Sequence, residues 1–214
     1  MFRTISIVLF ALTLGAVFLC GLFSSSGRSG RNPFKKLIHL FTLIFFEWKL
    51  SLVGIIRKLV YLLTLFCFLV LGFTGFYPTL GLNQHISGYL LIIHATFAPV
   101  LAICLAVLAV MWAGRCRFTW SDWPWFQRFI ERVTLMKSSE QTPDKNRCIG
   151  QKITFWLIIF LALPLIMSIT LSMLPYFGTD WQELLLVIHR WTALVFAIVV
   201  IIHTYMIIRI QMRQ

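Results

Sequence analysis

Charge is scarce in this 214-residue sequence: 12% of residues are charged and only seven are acidic. Ordinary soluble domains carry about 25% charged and about 45–50% apolar residues. Here the apolar share is 59% and the mean hydropathy +0.87. That composition excludes a soluble globular enzyme and a disordered tail. The five cysteines, Cys20, Cys67, Cys104, Cys116 and Cys148, form no C-x-x-C pair, which excludes zinc ribbons, thioredoxin chemistry and four-cysteine iron–sulfur loops. C-x-x-C-H is missing too, so covalent haem attachment is not encoded. Cys20, Cys67 and Cys104 lie in apolar runs and read as small hydrophobes. Cys116 and Cys148 flank one polar loop and take no role. Phosphate-binding, nucleophile-elbow and zinc-protease motifs are absent, as are internal repeats.

What fills the chain instead is long apolar runs: Thr4–Phe23, Leu59–Tyr77, Gly88–Trp112, Ile153–Leu174 and Leu184–Ile208. Each approximates the ~20 residues that cross a ~30 Å hydrocarbon core as a helix. The first run fits a signal peptide or a retained anchor. It exceeds the ~7–15 residues of a signal core and no A-x-A site follows it. Cleavage would also strand Arg28, Arg31, Lys35 and Lys36 outside, against the positive-inside tendency. The retained anchor is the favoured reading. Leu37–Ile56, apolar apart from His39, Glu47, Trp48 and Lys49, reads as an interfacial helix. Residues 1–58 thus form an anchor with an interfacial helix, and residues 59–214 a four-helix domain.

Basic residues set the orientation. Residues 24–58 hold seven, residues 113–152 eight and residues 209–214 two, whereas the connections Pro78–Ser87 and Pro175–Glu183 hold none. The basic regions are therefore expected in the cytoplasm and the short connections outside. The net charge of +12 is then topology and lipid contact, and requires no nucleic acid. No acidic residue falls inside a run, which counts against a proton-coupled transporter.

Histidine is the polar residue that remains in the membrane. His189 and His203 are 14 residues apart, 3.9 helical turns, so both emerge from nearly one face, about 21 Å apart along the axis. One lies near each interface, the spacing that two stacked b-type haems require of their axial imidazoles. Interhelical hydrogen bonding is the plainer alternative. His94 lies six residues into its run from the outer side, as His189 does, so the two form a candidate bis-histidine pair. His85 reads as a solvated loop residue. Arg190 either pairs a haem propionate or snorkels to lipid phosphate. His203 has no obvious partner; the remaining histidine is His39.

GFTGFYPTL, His94, SDWPWFQRFIERV, GQKITFW, His189 and His203 occur in that order. From about Arg57 to Ile208 the chain resembles the cytochrome b (gamma) subunit of respiratory formate dehydrogenases and its relatives in hydrogenases and thiosulfate reductases. The resemblance implies four spanning helices and two b haems, with electrons passing from an iron–sulfur partner subunit to quinone. It assigns His94 and His189 to the outer haem and His203 to the inner one. The second inner ligand, a histidine in that family, is Tyr61 here. Three outcomes follow, in order: a single haem, His39 replacing the lost ligand, or ligation by Tyr61. The resemblance also sets a quinone pocket at Gly150 and Gln151, with Lys152 or His203 assisting proton transfer. Helix capping by Gln151 and interface anchoring by Lys152 are the alternatives. The asparagine two residues before that glycine in the family is Cys148 here.

The expectation is an all-α integral membrane protein: a four-helix transmembrane bundle binding b-type haem, plus an extra N-terminal transmembrane helix. It would relay electrons between the iron–sulfur and catalytic subunits of a redox complex and quinone in the bacterial inner membrane. The rivals are a haem-free anchor for catalytic subunits and a small transporter.

Overall fold

The computed structural model describes residues 1–25, 52–120, 123, 143–175 and 178–211, and among these the regular structure is entirely helical. The helices are α1 (Phe2–Ser25), α2 (Leu52–Phe76), α3 (Gly88–Ala113), α4 (Pro143–Ser172) and α5 (Thr179–Gln211). Each contains a stretch long and apolar enough to cross a membrane. The chain is a multi-pass membrane protein.

The helices overrun the apolar runs that announce them. α2 begins at Leu52, inside the stretch read as interfacial, and α5 begins at Thr179, which places Asp180 in its first turn. A carboxylate there is favoured by the unpaired amides of a helix start. Beyond α2 the backbone keeps winding over Tyr77–Leu82 as a wider, π-helical turn. Pro78 sits at its start, where a missing N–H costs nothing. Asn83 stops the winding in the left-handed conformation (φ 55°), one of the few side chains that tolerate it.

α2 packs along α3 and α4 along α5, so the bundle is two antiparallel hairpins laid together. Cys67, Leu101, Leu105, Ile158, Ala162, Phe196 and Val199 form its core, with every helix of both hairpins contributing. Cys67 and Cys104 are buried and free. The outer surfaces are apolar as well: Phe66, Leu69, Phe73, Ile103, Val110, Phe160 and Leu163 are all exposed, as lipid-facing side chains are. Trp112, Trp120 and Trp156 lie toward one end of the bundle and Trp181 and Trp191 toward the other, the interfacial positions tryptophan prefers.

α1 lies against α5 and the turn after α2. Phe2 meets Trp191 edge-on at 5.0 Å, Phe10 meets Phe76 at 5.0 Å, and Arg3 Nε donates to the Leu80 carbonyl at 3.0 Å. Its first turns therefore sit at the end bearing the loop after α2, called the outer end below from the charge distribution. His39 and most of the interfacial stretch lie outside the described residues.

This orientation is testable in a background with the native cysteines replaced by serine. Gln84 and Arg117 are both exposed, on loops at opposite ends. Gln84→Cys is expected to react with a membrane-impermeant maleimide on intact cells, and Arg117→Cys only after permeabilisation. The reverse pattern would invert the bundle.

Candidate haem site

The outer half of the bundle brings together His94 of α3 and His189 of α5. His189 is an electrostatic neighbour of His94. Each ring is anchored through Nδ1, and the partners determine where its proton sits. His189 Nδ1 lies 3.0 Å from the Leu165 carbonyl of α4. A carbonyl only accepts, so Nδ1 carries the hydrogen. His94 Nδ1 lies 2.9 Å from Thr74 Oγ1 of α2, and Thr74 itself donates to the Val70 carbonyl at 2.8 Å. A hydroxyl has one hydrogen; with it given to Val70, Thr74 accepts from His94. In the neutral form both rings therefore keep a bare Nε2 lone pair available.

This is how histidine is prepared as a metal ligand: one nitrogen hydrogen-bonded to fix tautomer and ring plane, the other free to coordinate. Thr74 is only 2% exposed, so water does not compete for its lone pairs. Gly75 provides room on the same helix. A Cβ there would come within 3.1 Å of His94 Cε1, tight enough to disturb the ring. Among the described residues no cluster of three or more His, Cys, Asp or Glu side chains could hold a metal ion. What the bundle offers is a pair of imidazoles, and a pair suits the two axial positions of a haem iron. The residues present fit that group.

The inner half repeats part of this arrangement. His203 of α5 places Nδ1 2.7 Å from Thr154 Oγ1 of α4, and Thr154 donates to the Gly150 carbonyl at 2.9 Å, with the Gln151 carbonyl at 3.2 Å. By the same accounting His203 keeps a bare Nε2. It lines a narrow apolar cavity between the hairpins, to which α2 contributes Tyr61, Thr64, Leu65 and Phe68. Among the described residues no second histidine lines it. Arg57, one turn before Tyr61, holds its guanidinium 5.9 Å over the Trp112 ring, with its Nε buried and unpartnered among the described residues.

The other expected residues fall as follows. Gly150 and Gln151 lie at the inner end of α4 and hold Thr154 through their carbonyls. A Cβ on Gly150 would run into the methyl group of Met206, so this glycine also sets how closely α4 approaches α5. Arg190 donates to His85 Nδ1 at 2.7 Å at the outer rim. His85 is thus engaged by Arg190 rather than free in its loop, and the guanidinium retains further N–H groups. The side chain of Cys148 lies outside the described residues.

Thr74 and Thr154 are the residues that sequence reasoning missed. A threonine in an apolar helix most often returns its hydroxyl to the preceding turn, and both do so. Only the packing of neighbouring helices shows that each also receives a histidine.

A helical membrane bundle presenting paired, tautomer-fixed imidazoles is the architecture of a membrane cytochrome b. Comparison with known families agrees: the model of prokaryotic cytochrome b561 matches residues 54–214, and the chain belongs to that family. It is accordingly a membrane electron-transfer protein that binds b-type haem. The match starts within α2 and leaves α1 outside it. No individually curated protein matches the chain.

Proposed function

We propose that this chain is the quinone-linked cytochrome b subunit of a multisubunit redox complex in the bacterial cytoplasmic membrane. It holds one haem b between His94 and His189. The observation that carries this reading is the matched pair of imidazoles on α3 and α5, each with Nδ1 committed to a neighbouring helix. When bound there, haem supplies the one-electron couple. The chain's own contribution is orientation and environment. Leu165 and Thr74 hold the rings, the apolar core excludes water, and Arg190 at the outer rim would be available to pair a haem propionate.

Electrons pass between an iron–sulfur partner subunit and quinone held at the inner side, near Gly150 and Gln151. These two residues act there through their carbonyls, which fix Thr154 and thereby His203. The resemblance to formate dehydrogenase gamma subunits over Arg57–Ile208 supports the partner and the quinone link. α1, outside the family match, supplies a surface for neighbouring subunits.

A reduced-minus-oxidised spectrum and a haem count on the purified chain test the proposal. The expected result is a b-type band with one haem per polypeptide, and iron–sulfur protein co-purifying from native membranes. One specific observation favours a second reading, a haem-free anchor: Tyr61 in place of an inner ligand. Absence of any b-type band would decide for it.

A further inference from the structure

We propose that α1 is a buttress for the outer imidazole pair: braced against the outer ends of α2 and α5, it sets the mutual orientation of the His94 and His189 rings. The proposal rests on the reading of those two histidines as the ligands of one haem, and it concerns a helix that the family match leaves out.

Phe2, Ser6 and Phe10 recur every four residues and so share one face of α1. That face is turned to the bundle. Phe2 meets Trp191 of α5 and Phe10 meets Phe76 of α2, each edge-on, and Ser6 between them is fully buried. Its hydroxyl returns to the Phe2 carbonyl at 2.8 Å, so the side chain acts as a small spacer that lets the helices close. Ile5, Val8, Leu12 and Leu19, on the remaining faces, are exposed. Arg3 adds its bond to the Leu80 carbonyl. Inside a bilayer apolar side chains gain nothing by leaving lipid for protein, so these specific contacts decide where α1 sits.

Where they land carries the inference. Phe76 follows Thr74, the partner of His94, by two residues, and Trp191 follows His189 by two. Two residues are about 200° of helical rotation. Both aromatic contacts therefore fall on the backs of helices whose fronts hold a histidine or its hydrogen-bond partner. His94 and His189 stand on different hairpins, so the angle between their rings depends on how those hairpins are held at this level. α1 touches both there, α5 directly and the other hairpin through Phe76 and the turn after α2. Supporting contacts of this kind orient metal-ligating side chains.

The test uses the full-length, haem-loaded chain in lipid nanodiscs. The lowest-field EPR feature of ferric haem with two imidazole ligands reports the angle between the ring planes. Ser6→Leu, which wedges α1 off the bundle, and the double variant Phe2→Ala/Phe10→Ala are expected to move that feature and to release haem to apomyoglobin about tenfold faster. Ser6→Ala keeps the close approach and Leu12→Ala lies on the exposed face; both are expected to match the wild-type chain. Phe10→Leu, a milder change, gives the reading should the stronger variants lose haem altogether. An unmoved EPR feature in the haem that these variants retain overturns the proposal, even with faster release, because haem lost without reorientation marks a helix that only stabilises the fold. N-terminal sequencing that finds α1 removed from the haem-loaded wild-type chain overturns it too. A wild-type chain with no b-type band overturns the haem reading beneath it.

Discussion

His189→Ala is expected to remove the b-type absorption of the purified protein altogether, whereas His203→Ala leaves it in place. The two histidines sit on one face of α5 and each has its Nδ1 bonded to α4. They differ in their neighbours: His94 lies near His189, and Tyr61 shares the cavity of His203. A low-spin haem needs both axial nitrogens. Truncating His189 leaves His94 to bind alone in a site whose other wall has become a methyl group. Haem extraction and quantification on both variants, with helix content by circular dichroism as the folding control, reads the outcome. Full haem in His189→Ala, or its loss in His203→Ala, would exchange the roles of the two halves.

Thr74→Val makes a subtler cut. Valine matches threonine in shape and leaves the packing of α2 against α3 intact, but it removes the acceptor for His94 Nδ1–H. A buried donor left without a partner costs about 1–3 kcal/mol, and losing an outer-shell partner of a metal-ligating histidine typically lowers affinity about 10–100-fold. The hydrogen bond to Thr74 makes the imidazole more basic, which favours ferric iron. Without it the reduction potential is expected to rise, by about 59 mV for each tenfold by which the oxidised form is weakened more than the reduced one. Thr74→Ser retains the oxygen and is expected to restore both affinity and potential. Redox titration of the three proteins separates tuning from misfolding, because a purely structural lesion would lower haem content without a potential shift that serine reverses.

The membrane architecture is legible in the sequence because a bilayer leaves few options. Each spanning run must be apolar throughout, and the segments between them display their sides by basic residues. The co-facial relation of His189 and His203 follows from helical period alone, and the depth of His94 from counting inward from the outer side. Helix ends are less legible. α2 runs back to Leu52, since the residues before Leu59 are compatible with helix whether they lie in lipid or at its surface. The turn after α2 continues as π-helix through Tyr77–Leu82 because proline at the start of a helix obstructs nothing. Least legible are the contacts of Thr74 and Thr154. Those depend on which helix lies beside which, and a sequence read one helix at a time does not contain that relation.

The hydrogen-bond partners of the three histidines share one property of consequence. Thr74 and His94 belong to the α2–α3 hairpin, while Leu165 with His189 and Thr154 with His203 belong to the α4–α5 hairpin. None of these three anchoring bonds crosses the seam. Each hairpin can therefore set its own ligand during membrane insertion, before the other half has arrived. The shared apolar core and the Arg190–His85 bond already join the halves; a haem held by His94 and His189 would add a bridge across the seam, its binding free energy adding to their cohesion. Cofactor capture would then tighten a bundle whose two ligand-bearing halves are each already prepared.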